Sequence, residues 1–210
     1  SSLASTQTVA TENTLKEANQ LMDYVATHPN PVIRFRRSKM ILAISSDASY
    51  LSESQARSRV GGYFYLSEEP SHIPDSPAPP INGAIHVIST IIKNVVGSAT
   101  EAEIAGCYTN GTEGCPIITT LKEMGWPQGT VQITTDNQCA EGFANERTKQ
   151  NRTKAIDMRY YWIIDRCKQQ QYSVIWRKGK GILADYFTKH HSPAYHQEMR
   201  PIYFHTEDET

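Results

Sequence analysis

Apolar positions in the first part of the chain predict one helix followed by a strand. Residues 15–26 place apolar side chains at helical spacing, and the helix must end near His28 because Pro29 and Pro31 cannot continue it. Residues 40–44 form a short apolar run bounded by polar residues, which is typical of a buried strand. We therefore expect a leading helix, a linker, and a strand that carries Asp47 at its end.

Two further strands are predicted on either side of a proline-rich segment. Residues 60–66 are glycine-led and aromatic, and residues 84–90 alternate between two faces, as half-buried strands do. Residues 67–83 between them contain five prolines, which exclude regular structure. We expect this segment to be an exposed loop.

A longer helix is expected to begin at Ser98. Ser98 and Glu101 have the spacing of a capping box, in which the hydroxyl and the carboxylate bind the first amides of a helix. The helical pattern then meets Gly111, Gly114 and Pro116. These residues are expected to weaken or kink the helix.

The second half of the chain alternates between strand and helix. Residues 130–135 form a β-branched strand that ends in Asp136, and a short helix and a longer helix over residues 154–168 follow. Residues 172–176 are the last strand, and a final helix carries Asp185. This order predicts an α/β fold with a mixed sheet flanked by helices.

Composition narrows the possible functions. The 210 residues suffice for one domain with tails, and a net charge of -1 means that any nucleic acid must be bound by a local patch. The four cysteines contain no C-x-x-C pair, which disfavours a zinc knuckle or disulfide framework and fits a reducing, intracellular setting. No stretch reaches the roughly 20 apolar residues of a membrane span. Because the chain starts at Ser1 without a Met, we expect a fragment of a longer protein.

Four acidic residues are candidates for one metal-binding cluster. If Asp47 and Asp136 end neighbouring parallel strands, they meet at one edge of the sheet, where open α/β sheets bind ligands. Glu103 and Asp185 would join them from helices. Carboxylates so close together repel one another and are tolerable mainly when hard cations such as Mg²⁺ neutralise them.

Each of these acids also has an ordinary structural explanation. Asp47 could belong to a strand-to-turn transition, and Asp136 could cap the helix that follows it. Asp185 could complement a helix dipole, and Glu103 could lie on a solvated helix face. Spacing alone leaves both explanations open.

A basic block lies between Glu146 and Lys180, where ten basic residues stand against three acidic ones. Arg152, Arg159 and Arg166 recur every seven residues, which aligns them on one flank of a helix. A track for nucleic-acid phosphates is one interpretation, and a solvated helix face is the other. The candidate nucleic-acid contacts are Arg147, Lys149, Arg152, Lys154, Arg159 and Lys180.

Six short motifs, taken in order, carry a resemblance to a known family. They are SDAS at 46–49, RSRVGGY at 57–63, TEAEI at 100–104, TDN at 135–137, NRTKAID at 151–157 and LADYFTK at 183–189. In this order they resemble the ribonuclease H region of copia-type LTR retrotransposons, over a range from about Ser1 to Tyr203.

The resemblance implies the ribonuclease H fold, with five strands in the order 3-2-1-4-5. It also implies a two-metal endoribonuclease that uses Mg²⁺, or Mn²⁺, to hydrolyse the RNA strand of an RNA/DNA hybrid. We expect Asp47 to bridge both ions, Glu103 and Asp136 to complete one site, and Asp185 to complete the other. Cellular type 1 enzymes carry a histidine in the loop before the last aspartate, whereas this chain has Lys180 there, so slower turnover or partial substitution is expected.

The same resemblance implies a place within a polyprotein. Residues 1–38 would be a tether to the reverse transcriptase domain, 39–192 the ribonuclease H domain, and 193–210 a C-terminal tail. The protein would act during reverse transcription, in the cytoplasm within virus-like particles. Two other functions stay open: a decayed module that binds hybrids or is only structural, and an integrase-type nuclease that cleaves DNA.

Overall fold

The computed structural model describes residues 2–70, 77–147 and 158–205, and one five-stranded sheet lies at its centre. The strands are β1 (Ile41–Glu53), β2 (Arg57–Ser67), β3 (Ala84–Ile91), β4 (Val131–Thr135) and β5 (Tyr172–Trp176). Their order is β3-β2-β1-β4-β5. β2 pairs antiparallel with both β1 and β3, whereas β4 pairs parallel with both β1 and β5. The predicted mixed sheet and its order are confirmed.

The α-helices of the described residues are α1 (Ser2–Ser5), α2 (Glu12–Thr27), α3 (Ala99–Glu123), α4 (Gln138–Ala144), α5 (Tyr161–Lys168) and α6 (Pro193–Tyr203). The leading helix is confirmed as α2. The helix predicted over residues 154–168 is α5, preceded by a 3₁₀ helix at Met158–Tyr160, and residues 154–157 lie outside the described ranges. Asp185 lies in a 3₁₀ helix, Leu183–Phe187, rather than in the final α-helix that we expected.

The main core forms where α3 and α5 pack on the central strands. Ile44 of β1, Ile133 of β4 and Val174 of β5 are completely buried, and they belong to one cluster with Ile104 and Ile163 from the helices. Apolar side chains on these strands therefore set the sheet, and the helices cover it.

The glycines of α3 do not break the helix, contrary to the expectation from sequence. α3 runs without interruption from Ala99 to Glu123. A Cβ on Gly114 would lie 2.8 Å from Tyr172 Oη and 2.9 Å from Ile44 Cδ1, so only glycine permits this approach. Tyr172 Oη also donates a 2.7 Å hydrogen bond to the Gly111 carbonyl. Packing against the sheet thus offsets the low helix propensity of glycine.

Segments from the first and last parts of the described chain contact each other. Val32 forms an isolated antiparallel bridge with His205, and Arg200 of α6 contacts Tyr24 of α2. Tyr203 of α6 is buried, and its hydroxyl donates a 2.7 Å hydrogen bond to the Leu183 carbonyl. The domain divisions at 38/39 and 192/193 stay predictions. Within the described ranges, no helix combines the length and the apolarity that crossing a bilayer requires.

Candidate metal centre

Asp47 lies in the middle of β1, not at its end as predicted. Antiparallel pairing with β2 continues past Asp47 as far as Glu53, which lengthens the strand. The parallel pairing of β1 with β4 reaches only Ser45 opposite Thr134. Asp47 therefore lies two residues beyond the last paired position, beside the end of β4, and Asp136 directly follows that end.

Glu103 reaches the same place from the second turn of α3. Ser98 caps the helix by accepting a 3.1 Å hydrogen bond from the Glu101 amide, and Glu101 in turn accepts one of 2.7 Å from the Gly97 amide. One turn after Glu103, a Cβ on Gly106 would lie 3.3 Å from Ser46 Oγ. This close approach of α3 to β1 carries Glu103 to the sheet.

The Glu103 carboxylate bridges the two central strands. It accepts a 3.2 Å hydrogen bond from the Ala48 amide of β1 and a 3.3 Å bond from Thr135 Oγ1 at the end of β4. Glu103 is only 6% exposed, which excludes the solvated helix face as its explanation.

Three of the four predicted metal-binding acids form one compact group. One oxygen from each of Asp47, Glu103 and Asp136 lies within 4.8 Å of the others. Asp47 is 3% exposed, whereas Asp136 faces solvent. These three residues come from separate elements and form an acidic nest that opens to solvent on the Asp136 side.

The alternative role of Asp136 as a helix cap is also resolved. Asn137 is the residue that caps α4, because its Oδ1 accepts a 3.0 Å hydrogen bond from the Ala140 amide. Asp136 is held instead through its backbone, since Trp176 Nε1 donates a 2.9 Å hydrogen bond to its carbonyl oxygen.

Asp185 lies beside this group rather than in it. Its carboxylate pairs with the Lys189 ammonium, four residues along the chain. The neighbouring Thr188 hydroxyl is 2.6 Å from Asp47 Oδ2 and 2.9 Å from the Asp185 carbonyl oxygen. The segment 185–189 therefore lies against Asp47 and links the fourth acid to the other three.

Gly61 makes room for this segment on the sheet. It is the cross-strand partner of Asp47 in β2. A Cβ at this position would lie 2.5 Å from the Ala184 carbonyl oxygen and 2.7 Å from Thr188 Cγ2. Steric contact therefore explains why the first of the two glycines in the RSRVGGY motif has no side chain.

Burial and mutual repulsion oppose ionisation of the nest. Burial, reinforced by the charge of Asp47, raises the pKa of Glu103 to about 9. Burial also raises the pKa of Asp47 against the opposing hydrogen bond from Thr188, and the Asp185 charge adds to the increase. A bound cation would neutralise this repulsion and favour the ionised form of all three carboxylates. An all-oxygen donor set suits Mg²⁺ or Mn²⁺ rather than softer metals, so the residues present fit such ions.

The predicted basic contacts are placed only in part. Arg147 is exposed and pairs with Glu141 at 3.0 Å, and the exposed Arg159 donates a 3.1 Å hydrogen bond to Asn94 Oδ1. Lys180 is exposed in the 3₁₀ turn Gly179–Gly181. This turn reaches the acids, because a Cβ on Gly179 would lie 3.1 Å from Asp136 Oδ2.

The remaining residues of the predicted phosphate track are of two kinds. Lys149, Arg152 and Lys154 lie outside the described residues. Arg166 is half-buried, with its guanidinium over the Trp162 ring at 5.1 Å from the centroid. The track stays a prediction.

Four residues that the sequence did not single out support the acids. Thr188 and Thr135 donate to Asp47 and Glu103, Trp176 holds the Asp136 backbone, and Lys189 pairs with Asp185. Thr188 and Lys189 follow Asp185 by three and four residues within the LADYFTK motif. That spacing was the available signal for both.

Comparison with known proteins places the chain among ribonuclease H folds. No family model matches. Over 169 residues, or 80% of this chain, it is 26% identical to the retrovirus-related Pol polyprotein from transposon TNT 1-94 of Nicotiana tabacum. The chain spans only 12% of that polyprotein.

The solved structure of LC11 ribonuclease H1, isolated from compost by a metagenomic approach, matches with a TM-score of 0.50 and 11% identity. The match covers 71% of this chain and 93% of LC11. The PFV ribonuclease H domain matches with a TM-score of 0.42 and 15% identity, over 73% of this chain and 93% of that domain. The predicted fold and the predicted resemblance to a retrotransposon polyprotein are confirmed.

Proposed function

We propose that this chain, as a ribonuclease H domain of the LTR-retrotransposon polyprotein type, is a metal-dependent endonuclease that hydrolyses the RNA strand of RNA/DNA hybrids. The observation that carries the proposal is the convergence of Asp47, Glu103 and Asp136 within 4.8 Å. A strand, a helix and a strand end supply these acids, and burial makes their charges costly. A bound divalent cation would offset this cost, which is why the arrangement supports metal chemistry.

Two divalent ions, Mg²⁺ or Mn²⁺, suit this set of residues. Asp47 would be shared by both ions, Glu103 and Asp136 would complete one site, and Asp185 would complete the other. When bound, such ions supply the Lewis acidity that activates a water molecule and stabilises charge on the leaving 3′-oxygen. The products would carry 5′-phosphate and 3′-hydroxyl ends.

The surrounding residues would fix the ligands in place. Thr188 orients the Asp47 carboxylate, and the Ala48 amide with Thr135 orients Glu103. The Trp176 indole anchors the backbone that carries Asp136. Such supporting hydrogen bonds typically change metal affinity or activity by about 10- to 100-fold.

The substrate would be recognised through its backbone. Selection of RNA rests on contacts to 2′-hydroxyls and on the shape of the hybrid minor groove, with little reading of bases. Lys180 would contribute from the exposed turn whose Gly179 lies against Asp136, and the exposed Arg147 and Arg159 would contact phosphates. The predicted contacts at positions 149, 152 and 154 would extend this surface.

We also propose the biological setting that the resemblance implies. The domain would work beside the reverse transcriptase of the same polyprotein, with residues 1–38 as the tether, in cytoplasmic virus-like particles. It would remove RNA from the hybrid that reverse transcription leaves.

The test is a cleavage assay with the full chain, Mg²⁺ and an end-labelled RNA/DNA hybrid. We expect cleavage by the wild type and a loss of about 100-fold or more in Asp136→Asn, beyond what loss of a supporting residue costs. Asp165→Asn is the matched control, because it removes the same charge from an exposed aspartate on α5.

The substrate arms separate the other functions. Cleavage of duplex DNA but not of the hybrid would indicate an integrase-type nuclease. Binding of the hybrid without cleavage in Mg²⁺ or Mn²⁺ would indicate a binding module. Either result would overturn the proposed activity.

A further inference from the structure

The fourth acid already has a cation beside it. The Lys189 ammonium pairs with Asp185 Oδ1 in the i, i+4 spacing. The Lys189 side chain is 51% exposed, whereas the Asp185 side chain is 26% exposed. Among the described residues, the compact acidic group consists of Asp47, Glu103 and Asp136, and Asp185 is engaged with the lysine instead.

Lys189 is connected to the acidic group as well as to Asp185. The preceding residue, Thr188, is buried and donates a 2.6 Å hydrogen bond to Asp47 Oδ2. Partial burial would lower the pKa of Lys189, but its bond to Asp185 and the negative charges of Asp185, Asp47 and Asp136 together raise it. The ammonium therefore lies within the electrostatic field of all three aspartates.

We propose that Lys189 is a built-in cation that neutralises the Asp185 side of the centre in the metal-free protein and leaves when a second divalent ion binds. This inference rests on the proposed two-metal function. The group of Asp47, Glu103 and Asp136 accepts one ion without displacing an ammonium, whereas the Asp185 side accepts an ion only after the Lys189 ammonium moves away. Lys189 is thus a positioning residue that makes the two binding steps unequal.

The chemistry of lysine suits such an exchange. Its ammonium is a compact charge on a flexible four-carbon stem, and it is strongly hydrated when released into water. A half-exposed side chain can swing into solvent without unpacking the core. Asp185, by contrast, is fixed by the 3₁₀ helix and by the Thr188 contact to its carbonyl.

The test is calorimetric titration of the full chain with MgCl₂ alone. We expect Lys189→Met to tighten the weaker binding step about tenfold, the effect of removing one charge roughly 6 Å from a divalent ion at the dielectric constant of water. The stronger step should change less. Lys189→Arg keeps the charge and should behave like the wild type.

Lys168→Met is the matched control. Lys168 is 60% exposed and pairs with Glu146 at 2.9 Å, so its loss removes the same charge from an ion pair on α5. The proposal is overturned if Lys189→Met and Lys168→Met give the same titration, or if no variant binds Mg²⁺.

Unfolding in urea provides a second readout that does not depend on activity. Lys189→Met should be less stable than the wild type in EDTA, and the difference should close in saturating Mg²⁺. A difference that stays the same in both conditions would reduce Lys189 to an ordinary structural ion pair. Absence of hybrid cleavage by the wild type refutes the nuclease function but not the exchange, whereas unchanged titrations refute the exchange and leave cleavage untouched.

Discussion

Substitution of Gly61 by alanine tests how the C-terminal segment lies on the sheet at the metal centre. A Cβ at position 61 would lie 2.5 Å from the Ala184 carbonyl oxygen and 2.7 Å from Thr188 Cγ2. The first of these atoms belongs to the backbone and cannot rotate away. The segment that carries Thr188 and Asp185 must therefore shift from the sheet.

The expected cost follows from two contacts. Overpacking of a well-packed site costs about 1–3 kcal/mol. A shift that breaks the 2.6 Å hydrogen bond from Thr188 to Asp47 costs roughly a further 1.5–3 kcal/mol, because the acceptor is a carboxyl group. The gain from restricting the unfolded chain offsets only about 0.4–1 kcal/mol. We expect Gly61→Ala to lower the free energy of unfolding by about 1.5–5.5 kcal/mol.

Urea unfolding in EDTA measures this cost. Gly129→Ala is the control, because nothing lies within 4 Å of a Cβ there, and its stability should stay within about 0.5 kcal/mol of the wild type or rise slightly. Thr188→Ser removes the methyl group that the new Cβ would strike and keeps the hydroxyl, so Gly61→Ala should cost less in that background. A loss below about 1 kcal/mol, or an equal loss with and without Thr188→Ser, would refute the reasoning.

Three further predictions concern the metal, its support and pH. In thermal denaturation, Mg²⁺ at ten times its dissociation constant should raise the free energy of unfolding by about 1.4 kcal/mol. An equal gain in Asp136→Asn would contradict the proposed metal site. Trp176→Phe removes the 2.9 Å hydrogen bond from the indole to the Asp136 carbonyl oxygen. Calorimetry should then show an affinity for Mg²⁺ reduced roughly tenfold. An unchanged affinity would exclude a role for Trp176 in holding Asp136. The pKa of Glu53 lies below its usual 4.5 because Arg59 donates a 2.6 Å hydrogen bond to its carboxylate. The pair therefore stabilises the fold above pH 4.5, and this stabilisation is lost as the pH falls through the folded-state pKa of Glu53. Glu53→Gln should cost about 1–2 kcal/mol at pH 7 and nothing in acid, whereas a gap independent of pH in urea titrations would argue against the pairing.

Hydrophobic patterning predicted the sheet well but misjudged the length of its central strand. Residues 45–49 of β1 are polar apart from one alanine, so the apolar pattern ended at residue 44. Three of these buried polar side chains, those of Ser45, Asp47 and Ser49, find their partners in the segment after β5. Ser45 Oγ accepts from the Ala184 amide at 3.2 Å, and Ser49 Oγ donates to the Thr188 carbonyl at 2.8 Å. Such partners lie about 140 residues away, beyond the reach of any local pattern.

For α3, the sequence pattern predicted an interruption that the structure does not contain. Local propensity correctly counts Gly111 and Gly114 as weak helix formers. It cannot register that a Cβ on Gly111 would lie 3.0 Å from Trp162 Cζ3, or that Gly114 faces Tyr172 and Ile44. Tertiary packing requires small residues there, and the same packing holds the helix together.

The site was predicted in its acids but not in its charge balance. Motif order identified Asp47, Glu103, Asp136 and Asp185, and the structure assembles the first three. Their near-neighbour Lys189 had no predicted role, because its approach depends on the 3₁₀ path of residues 183–187, which the sequence pattern represented as an α-helix. Two features let the metal-free chain tolerate these acids: the raised pKa of Glu103 and one lysine charge beside Asp185.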